Sequence, residues 1–490
     1  MSDAGAWIAL VAPLLLGAAM SARGALRRRP IAAVAEAWID GMALLGGLLV
    51  LMARAGAPLT ATSTLTAVGA AGTALWITRG ILRRRAGPAA SCVNESSSGI
   101  GSGARNRDGL NPGATLGGAV IGVALLLAAA HGLLTAGLAA GAPPVGADAY
   151  ENWLLRARVI AVRGELPLDP ASPYYLGGGR VGYPLGWPML AAWPSILSGR
   201  WSDRFANLYG PAYLAALALL VAASVRERLG GAAAAAALVA LLGLPLAGYQ
   251  AARGGYADLP LAVHLTAGCA AMWDGSRGSR GRAASGGINL LFVVLLKREG
   301  LALFLVMLAG WFVGGRLQCV DVRGRGDPPW PPLSTGGEKK AAAAAAGAKA
   351  AMTAAAAVAA MVLAGLADLS YVGREAGSIG LRMDAIRPMM ARLFTQDSWG
   401  VLWWIVTPLI AVAAARLRRR EPAAVLQAGG LIGFVAFVFL FTANADFAIN
   451  GWTFDRSVLQ IAPAMMLFAA AGVAPDGTWR MGSPPSRSGF

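Results

Sequence analysis

The amino-acid sequence predicts an all-α polytopic membrane protein of about 13 transmembrane segments, with a helical extracytoplasmic cap made by the loop 141–205. Three observations carry this. Of the 490 residues, 56% are hydrophobic and only 14% are charged, well short of the roughly 25% of ordinary soluble domains. Apolar windows near the length that crosses about 30 Å of hydrocarbon recur along the chain, and none of the stretches between them is long enough for a separate soluble catalytic domain. Basic residues fall in short clusters between these windows, "RGALRRRP", "RGILRRRAG" and "ARLRRRE", as topology signals do. The net charge of +17 is therefore no footprint of nucleic acid, which is not expected as a partner.

The first window, 5–22, ends in small residues like a secretory signal, but Asp3 precedes it and Arg23, Arg27, Arg28 and Arg29 follow it. That charge order predicts an uncleaved helix with its N-terminus outside. Spans at 36–53 and 62–82 complete an N-terminal three-span segment, 1–85, and a Gly/Ser-rich cytoplasmic linker occupies 86–113. The membrane core, 114–473, then reads as spans at 114–140, 206–225, 232–249, 258–273, 288–297, 300–315, 341–366, 401–416, 422–442 and 457–473. Its outer loops are 141–205, 250–258, 367–400 and 443–456; a second linker is expected at 316–340, and 474–490 is a cytoplasmic tail. The opposite parity would place every triple-arginine cluster outside.

The loop 141–205 opens with "GADAYENWLLRARVIAVRGELP", Gly146 to Pro167, directly after an apolar run. Two helix-like pieces, 148–163 and 187–198, are expected to lie on the membrane surface through Trp153, Trp187, Trp193 and Trp201. In a helix over 148–163, Asp148 and Glu151 are three apart and share a face near the N-terminus, where the helix dipole favours negative charge. A carboxylate there serves as general base or metal ligand, or else only caps the helix.

Asp258, in "ARGGYADLPLAV", occupies a very short outer connection, where an acid is either functional or a cap ahead of Pro260. Lys297, Arg298 and Glu299 interrupt an apolar stretch, which predicts two short helices turning at Lys297–Gly300. Two adjacent cations suit a phosphate, and the competing reading is an internal ion pair that fixes packing. Asp446, Asp455 and Arg456 stand at the mouth of the last span, where Arg456 either contacts an anion or snorkels. His131 and His264 read as packed polar residues, not zinc ligands, and Cys92, Cys269 and Cys319 have neither metal spacing nor a predicted disulfide. No Walker A sequence, dinucleotide fingerprint or nucleophile elbow occurs, which argues against ATP-driven transport within the chain.

In "ADAYENWLLRARVIAVRGELP", "VGYPLGWPML" (181–190), "GGYADLPLAV" (254–263), "LKREGL" (296–301) and "DRSVLQIAP" (455–463), the chain resembles the GT-C class of membrane glycosyltransferases. The similarity is to the bacterial relatives of protein O-mannosyltransferases and of the aminoarabinose transferases that modify lipid A. The resemblance implies a GT-C-like core in the bacterial inner membrane, a polyprenyl-phosphate sugar donor, and a lipid, glycan or protein acceptor on the outer face. It implies Asp148 as the catalytic base or metal-linked catalyst, with Glu151 beside it, and Asp258, Tyr256 and Tyr183 near the acceptor or metal. A divalent metal ion, where one is used, would fall on Asp148, Glu151 and Asp258, and the donor phosphate on Lys297, Arg298 and Arg456. The first three spans have no counterpart in this pattern. A lipid-linked saccharide transporter or flippase, or a non-catalytic membrane subunit, are the alternative readings; internal inverted repeats, which would favour transport, are not evident in the sequence.

Overall fold

The computed structural model describes residues 4–20, 29–85, 112–142, 146, 148–175, 183–253, 255–275, 280–324, 380–396, 398–442 and 444–475. Among these the chain is helical and contains no strand. The N-terminal helices are α1 (Ala4–Met20), α2 (Pro30–Arg54) and α3 (Ala61–Arg85). The helices of the first half of the core are α4 (Pro112–Gly141), α5 (Leu155–Arg163), α6 (Gly186–Ser198), α7 (Asp203–Asn207), α8 (Tyr209–Leu229), α9 (Gly231–Leu242) and α10 (Pro245–Arg253). There follow α11 (Asp258–Gly275), α12 (Arg280–Leu296), α13 (Glu299–Gly324), α14 (Ile386–Phe394), α15 (Leu402–Leu417), α16 (Pro422–Phe441), α17 (Ala445–Asn450) and α18 (Trp452–Val473).

Five helical stretches among the described residues are long and apolar enough to cross a membrane: Pro30–Arg54, Gly118–Gly141, Asp203–Leu229, Pro422–Phe441 and Thr453–Val473. A sixth forms if α9 and α10, bent by 62° at their junction, make one broken span. Such helices are those of an integral membrane protein. The structure thus carries the all-helical class, while five or six full-length spans stand where thirteen were counted. The shortfall has a physical reason. At 1.5 Å of rise per residue, apolar helices such as Ala4–Ala19, Gly281–Leu296 and Leu402–Leu417 reach only about 24 Å, short of the hydrocarbon core. The expected span 341–366 and most of the linker 86–113 lie outside the described residues; the linker expected at 316–340 is helical as far as Gly324, where α13 ends.

The two helical pieces expected in 141–205 are present, but the tryptophans expected to hold them on a surface face inward, except Trp201. Trp153, Trp187 and Trp193 are buried, and α6 hides nearly every residue it has, so these tryptophans pack the centre of the bundle. A helix apolar on all sides needs protein on all sides, and α6 finds it against α1, α2, α5, α7 and α12. Trp187 lies edge-on to Tyr209 and Tyr213 of α8 and donates its indole N–H to the carbonyl of Gly255. Only Trp201 keeps partial exposure.

The N-terminal helices are equally integral. Asp40 of α2 is buried and accepts hydrogen bonds from Ser285 Oγ at 2.7 Å and Asn289 Nδ2 at 2.6 Å, both on α12. Asn289 Oδ1 and His264 Nδ1 are 2.7 Å apart, and His264 Nε2 lies 3.1 Å from the Tyr213 hydroxyl. The chain Asp40–Asn289–His264–Tyr213 therefore stitches α2, α12, α11 and α8 through their buried faces. This satisfies polar groups that would each cost a few kcal/mol unpaired. Cys269 and His264 are both buried, in keeping with packing roles.

Candidate functional site

The helix break at Lys297 positions the site. α12 ends at Leu296 and α13 starts at Glu299, so Lys297 and Arg298 sit in the turn between them, as the sequence predicts. Gly300 closes that turn, its N–H donating to the Lys297 carbonyl at 3.0 Å, and a Cβ here would collide with the Val293 backbone. The turn thus folds tightly back on α12 and aims Lys297 inward, where it is 6% exposed.

Asp258, the first residue of α11, is fully buried and forms the hub. Its Oδ1 accepts from Lys297 Nζ at 2.8 Å and from Gln460 Nε2 at 2.8 Å, while Oδ2 accepts from Arg456 Nε at 2.8 Å. Lys297 also donates to Glu299 Oε1 at 2.9 Å. Arg456 extends the array outward, its Nη2 donating to Asp148 Oδ2 at 2.7 Å. The carboxylate hub answers the cost of burying two cations, since an unpaired charge in such a place would be several kcal/mol uphill. Asp258, Glu299, Asp148, Lys297, Arg298 and Arg456 together carry three negative and three positive charges, which cancel.

Asp148 reaches Arg456 from a π-helical turn, Ala149–Leu154, in which the Leu155 N–H bonds the Tyr150 carbonyl. Such turns are wider than an α-helix and occur often at functional sites. The widening changes which residue accompanies Asp148. Asn152, four positions on, donates from Nδ2 to Asp148 Oδ1 at 2.7 Å, and Glu151 is exposed, away from the array. The shared face expected from an α-helical spacing is therefore not formed.

Two tyrosines frame the cations. The guanidinium of Arg298 lies 4.2 Å over the Tyr183 ring, and that of Arg456 lies 4.5 Å over the Tyr256 ring, both within cation–π range. Tyr183 is held by the segment that follows Asp148: Trp153 meets its ring edge-on at 4.9 Å, and Arg156 Nη1 donates to its carbonyl at 2.6 Å. Tyr256 lies against Gly146, which has a φ of 117° and where any Cβ would strike the Tyr256 hydroxyl. Burial pushes the Tyr256 phenol up to about 12, with Tyr249, Asp148 and Asp258 adding to the shift and Arg456 opposing it. Burial likewise raises Tyr183, so both remain neutral hydrogen-bonding groups near pH 7.

The array has a closed floor and an open rim. Asp258 has no exposed side-chain surface, while the Asp148 and Glu299 carboxylates are 29% and 30% exposed. At the rim a carboxylate with free lone pairs stands beside cations that could receive a phosphate. A divalent ion does not fit Asp148, Glu151 and Asp258 as they stand. Both Asp258 oxygens already accept from Lys297, Gln460 and Arg456, and Glu151 is exposed away from the array, leaving Asp148 without a second ligand; among the described residues no three His, Cys, Asp or Glu form a ligand group.

Gln460, Asn152 and Arg156 join or support the site without having been singled out for it by the sequence. Gln460 had a signal, because it lies four residues after Arg456 on an otherwise apolar helix and so on the same face. Asp455 takes a different part. It accepts from Arg392 Nη1 at 3.1 Å, Ser398 Oγ at 3.2 Å and Trp399 Nε1 at 3.2 Å, tying the segment around α14 to α18 beside Arg456. Asp446 pairs with Arg382 at the same edge. Comparison with family models, curated proteins and solved structures finds no match to this chain.

Proposed function

We propose that this chain is a membrane glycosyltransferase that moves a sugar from a polyprenyl-phosphate donor to an acceptor on the outer face of the membrane. One observation supports the reading above others. A partly open carboxylate, Asp148, and two cations, Lys297 and Arg456, meet in one array, with Arg298 stacked on Tyr183 next to Lys297, although they come from distant parts of an apolar helical chain. The GT-C-like pattern of the sequence assigns the same residues to the same tasks.

In this reaction an acceptor hydroxyl or amine attacks the anomeric carbon, the bond from that carbon to the phosphate oxygen breaks, and polyprenyl phosphate leaves with the electron pair. Asp148 takes the acceptor's proton through a lone pair left free by Arg456 and Asn152. Lys297, Arg298 and Arg456 stabilise the charge gathering on the departing phosphate. Asp258 holds Lys297 and Arg456 in place and does not react, while Tyr183 and Tyr256 orient the cations through their ring faces. Glu151 faces outward, where it could meet only the acceptor. On this reading the 141–205 segment caps the outer face of a bacterial inner membrane, the N-terminus lies outside and the C-terminus in the cytoplasm. The acceptor is a lipid, a glycan or a protein.

The test is to incubate the purified full-length protein with a panel of polyprenyl-phosphate sugars and measure release of polyprenyl phosphate. Release that disappears in Asp148→Asn, with lipid-phosphate binding kept, supports the assignment. Unchanged turnover in that variant removes Asp148 as the base. Movement of the intact donor between leaflets without release favours the flippase instead.

A further inference from the structure

A second concentration of charge lies at the other end of α15. Trp404, in its first turn, donates to the Phe394 carbonyl at 2.7 Å, and Trp399 just before it binds Asp455, the neighbour of Arg456. The 16 residues of α15 then carry the chain about 24 Å away from that end. There, at the turn into α16, Ala415, Arg416, Arg418, Arg419 and Arg420 line a pocket of about 320 Å³.

Arginines in such a turn set topology by their charge alone, and a topology signal needs no pocket. Two features go beyond it. The side chains converge on a concave space large enough for a phosphate-bearing headgroup, and among the described residues no hydrogen bond or ion pair engages the guanidinium of Arg418 or Arg419. The helices that meet at the turn also present apolar side chains outward: Trp404, Ile405 and Val412 on α15, Leu426, Ile432 and Phe437 on α16. A group bound at the turn therefore stands at the end of surfaces suited to acyl chains. Glu421 is the only acid in the turn, against four arginines.

The geometry points to a binding site for the phosphate of an anionic phospholipid headgroup in this pocket, at the end of α15 about 24 Å from the Asp455 side. Guanidinium forks take phosphate oxygens in pairs, and the apolar flanks take the chains, so the lipid is bound by both of its ends. The site is separate from the sugar-transfer reading and does not depend on it.

Lysine separates this proposal from simple topology. Arg418→Lys with Arg419→Lys keeps both charges, and so the insertion signal, but removes the paired donors. The full-length protein, in nanodiscs of phosphatidylcholine, is titrated with phosphatidylglycerol, and retained lipid is counted by native mass spectrometry. Wild type should retain phosphatidylglycerol over phosphatidylcholine by about tenfold, and the double lysine variant, inserted in the same orientation by protease protection, should lose most of that preference. Equal retention by the variant would reduce the pocket to a topology signal. Absence of a preference in wild type, which is read without any variant, would overturn the site, and displacement by millimolar inorganic phosphate would overturn the lipid as its occupant.

Discussion

Arg456 donates to Asp148 at 2.7 Å across 308 positions of the chain. The same guanidinium holds Asp258 with its Nε, so a buried carboxylate and a rim carboxylate share one cation. If the array takes the donor phosphate as proposed, that phosphate competes with these acids, and the two at the rim, Asp148 and Glu299, are the ones open to displacement.

Removing the rim acid should therefore strengthen donor binding while stopping transfer. Asp148→Asn gives the array a net charge of +1, and binding of polyprenyl phosphate should tighten by about threefold to tenfold, the worth of a partly open ion pair near 1 kcal/mol. Titration of the purified variant against wild type reads this directly. Weaker binding in the variant would show that Asp148 does not compete with the phosphate.

Asp258→Asn should act on folding first. It leaves Lys297 and Arg456 buried with their shared counter-charge gone, a change that costs about 3–5 kcal/mol in comparable buried pairs. Thermal unfolding in detergent should fall by many degrees, whereas Glu299→Gln, at the open rim, should leave the melting temperature nearly unchanged. Equal melting of wild type and Asp258→Asn would mean that the hub carries no stability.

Tyr183 offers a test on binding rather than stability. Tyr183→Phe keeps the ring under Arg298 and should keep the donor KM. Tyr183→Leu removes the cation–π contact, worth about 0.5–2 kcal/mol, and should raise the donor KM by roughly twofold to thirtyfold with a smaller effect on kcat. A fall in kcat at constant KM would place Tyr183 in the chemical step instead.

The pH dependence of Tyr256 has a definite sign. Its folded value, about 12, lies above the ordinary 10 of a free phenol, so the folded state binds this proton more tightly than the unfolded state does. The stability it contributes is full below pH 10 and is lost as the pH rises towards 12. Tyr256→Phe should flatten the alkaline fall of the melting temperature over that interval and leave the profile near pH 7 unaltered. An unaltered alkaline fall would show that other groups set it.

The helical class was legible because apolar windows and basic clusters survive in any local reading of the chain. The break at Lys297 was legible for a similar reason: three charges inside an apolar stretch leave a helix few options but to turn. Which acid would meet which cation was only half legible. Asp258, Lys297 and Arg456 could be grouped by their positions at helix ends, but Glu151 was paired with Asp148 by α-helical spacing, and a π-helical turn gives that place to Asn152. The tryptophans of 148–198 misled in another way. An amphipathic anchor and a buried helix both contain Trp and Pro, and only the partners α1, α2 and α12, far away in sequence, decide between them. The number of spans was legible only in part: among the described residues five or six stretches are long and apolar enough to cross, and the remaining apolar windows include shorter helices.

The hydrogen bonds of Asp40 bear on how the chain is made. Its partners Ser285 and Asn289 lie 245 and 249 residues downstream, so during synthesis α2 enters the membrane long before either exists. Until α12 arrives, the nascent protein has to shelter that carboxylate some other way, by taking up a proton, by holding α2 near the headgroups, or by leaning on the insertion machinery. Biogenesis of this chain therefore has a built-in waiting period. A ribosome stalled before residue 285 should leave α2 easier to extract from the membrane than one stalled after α12 has left the ribosome.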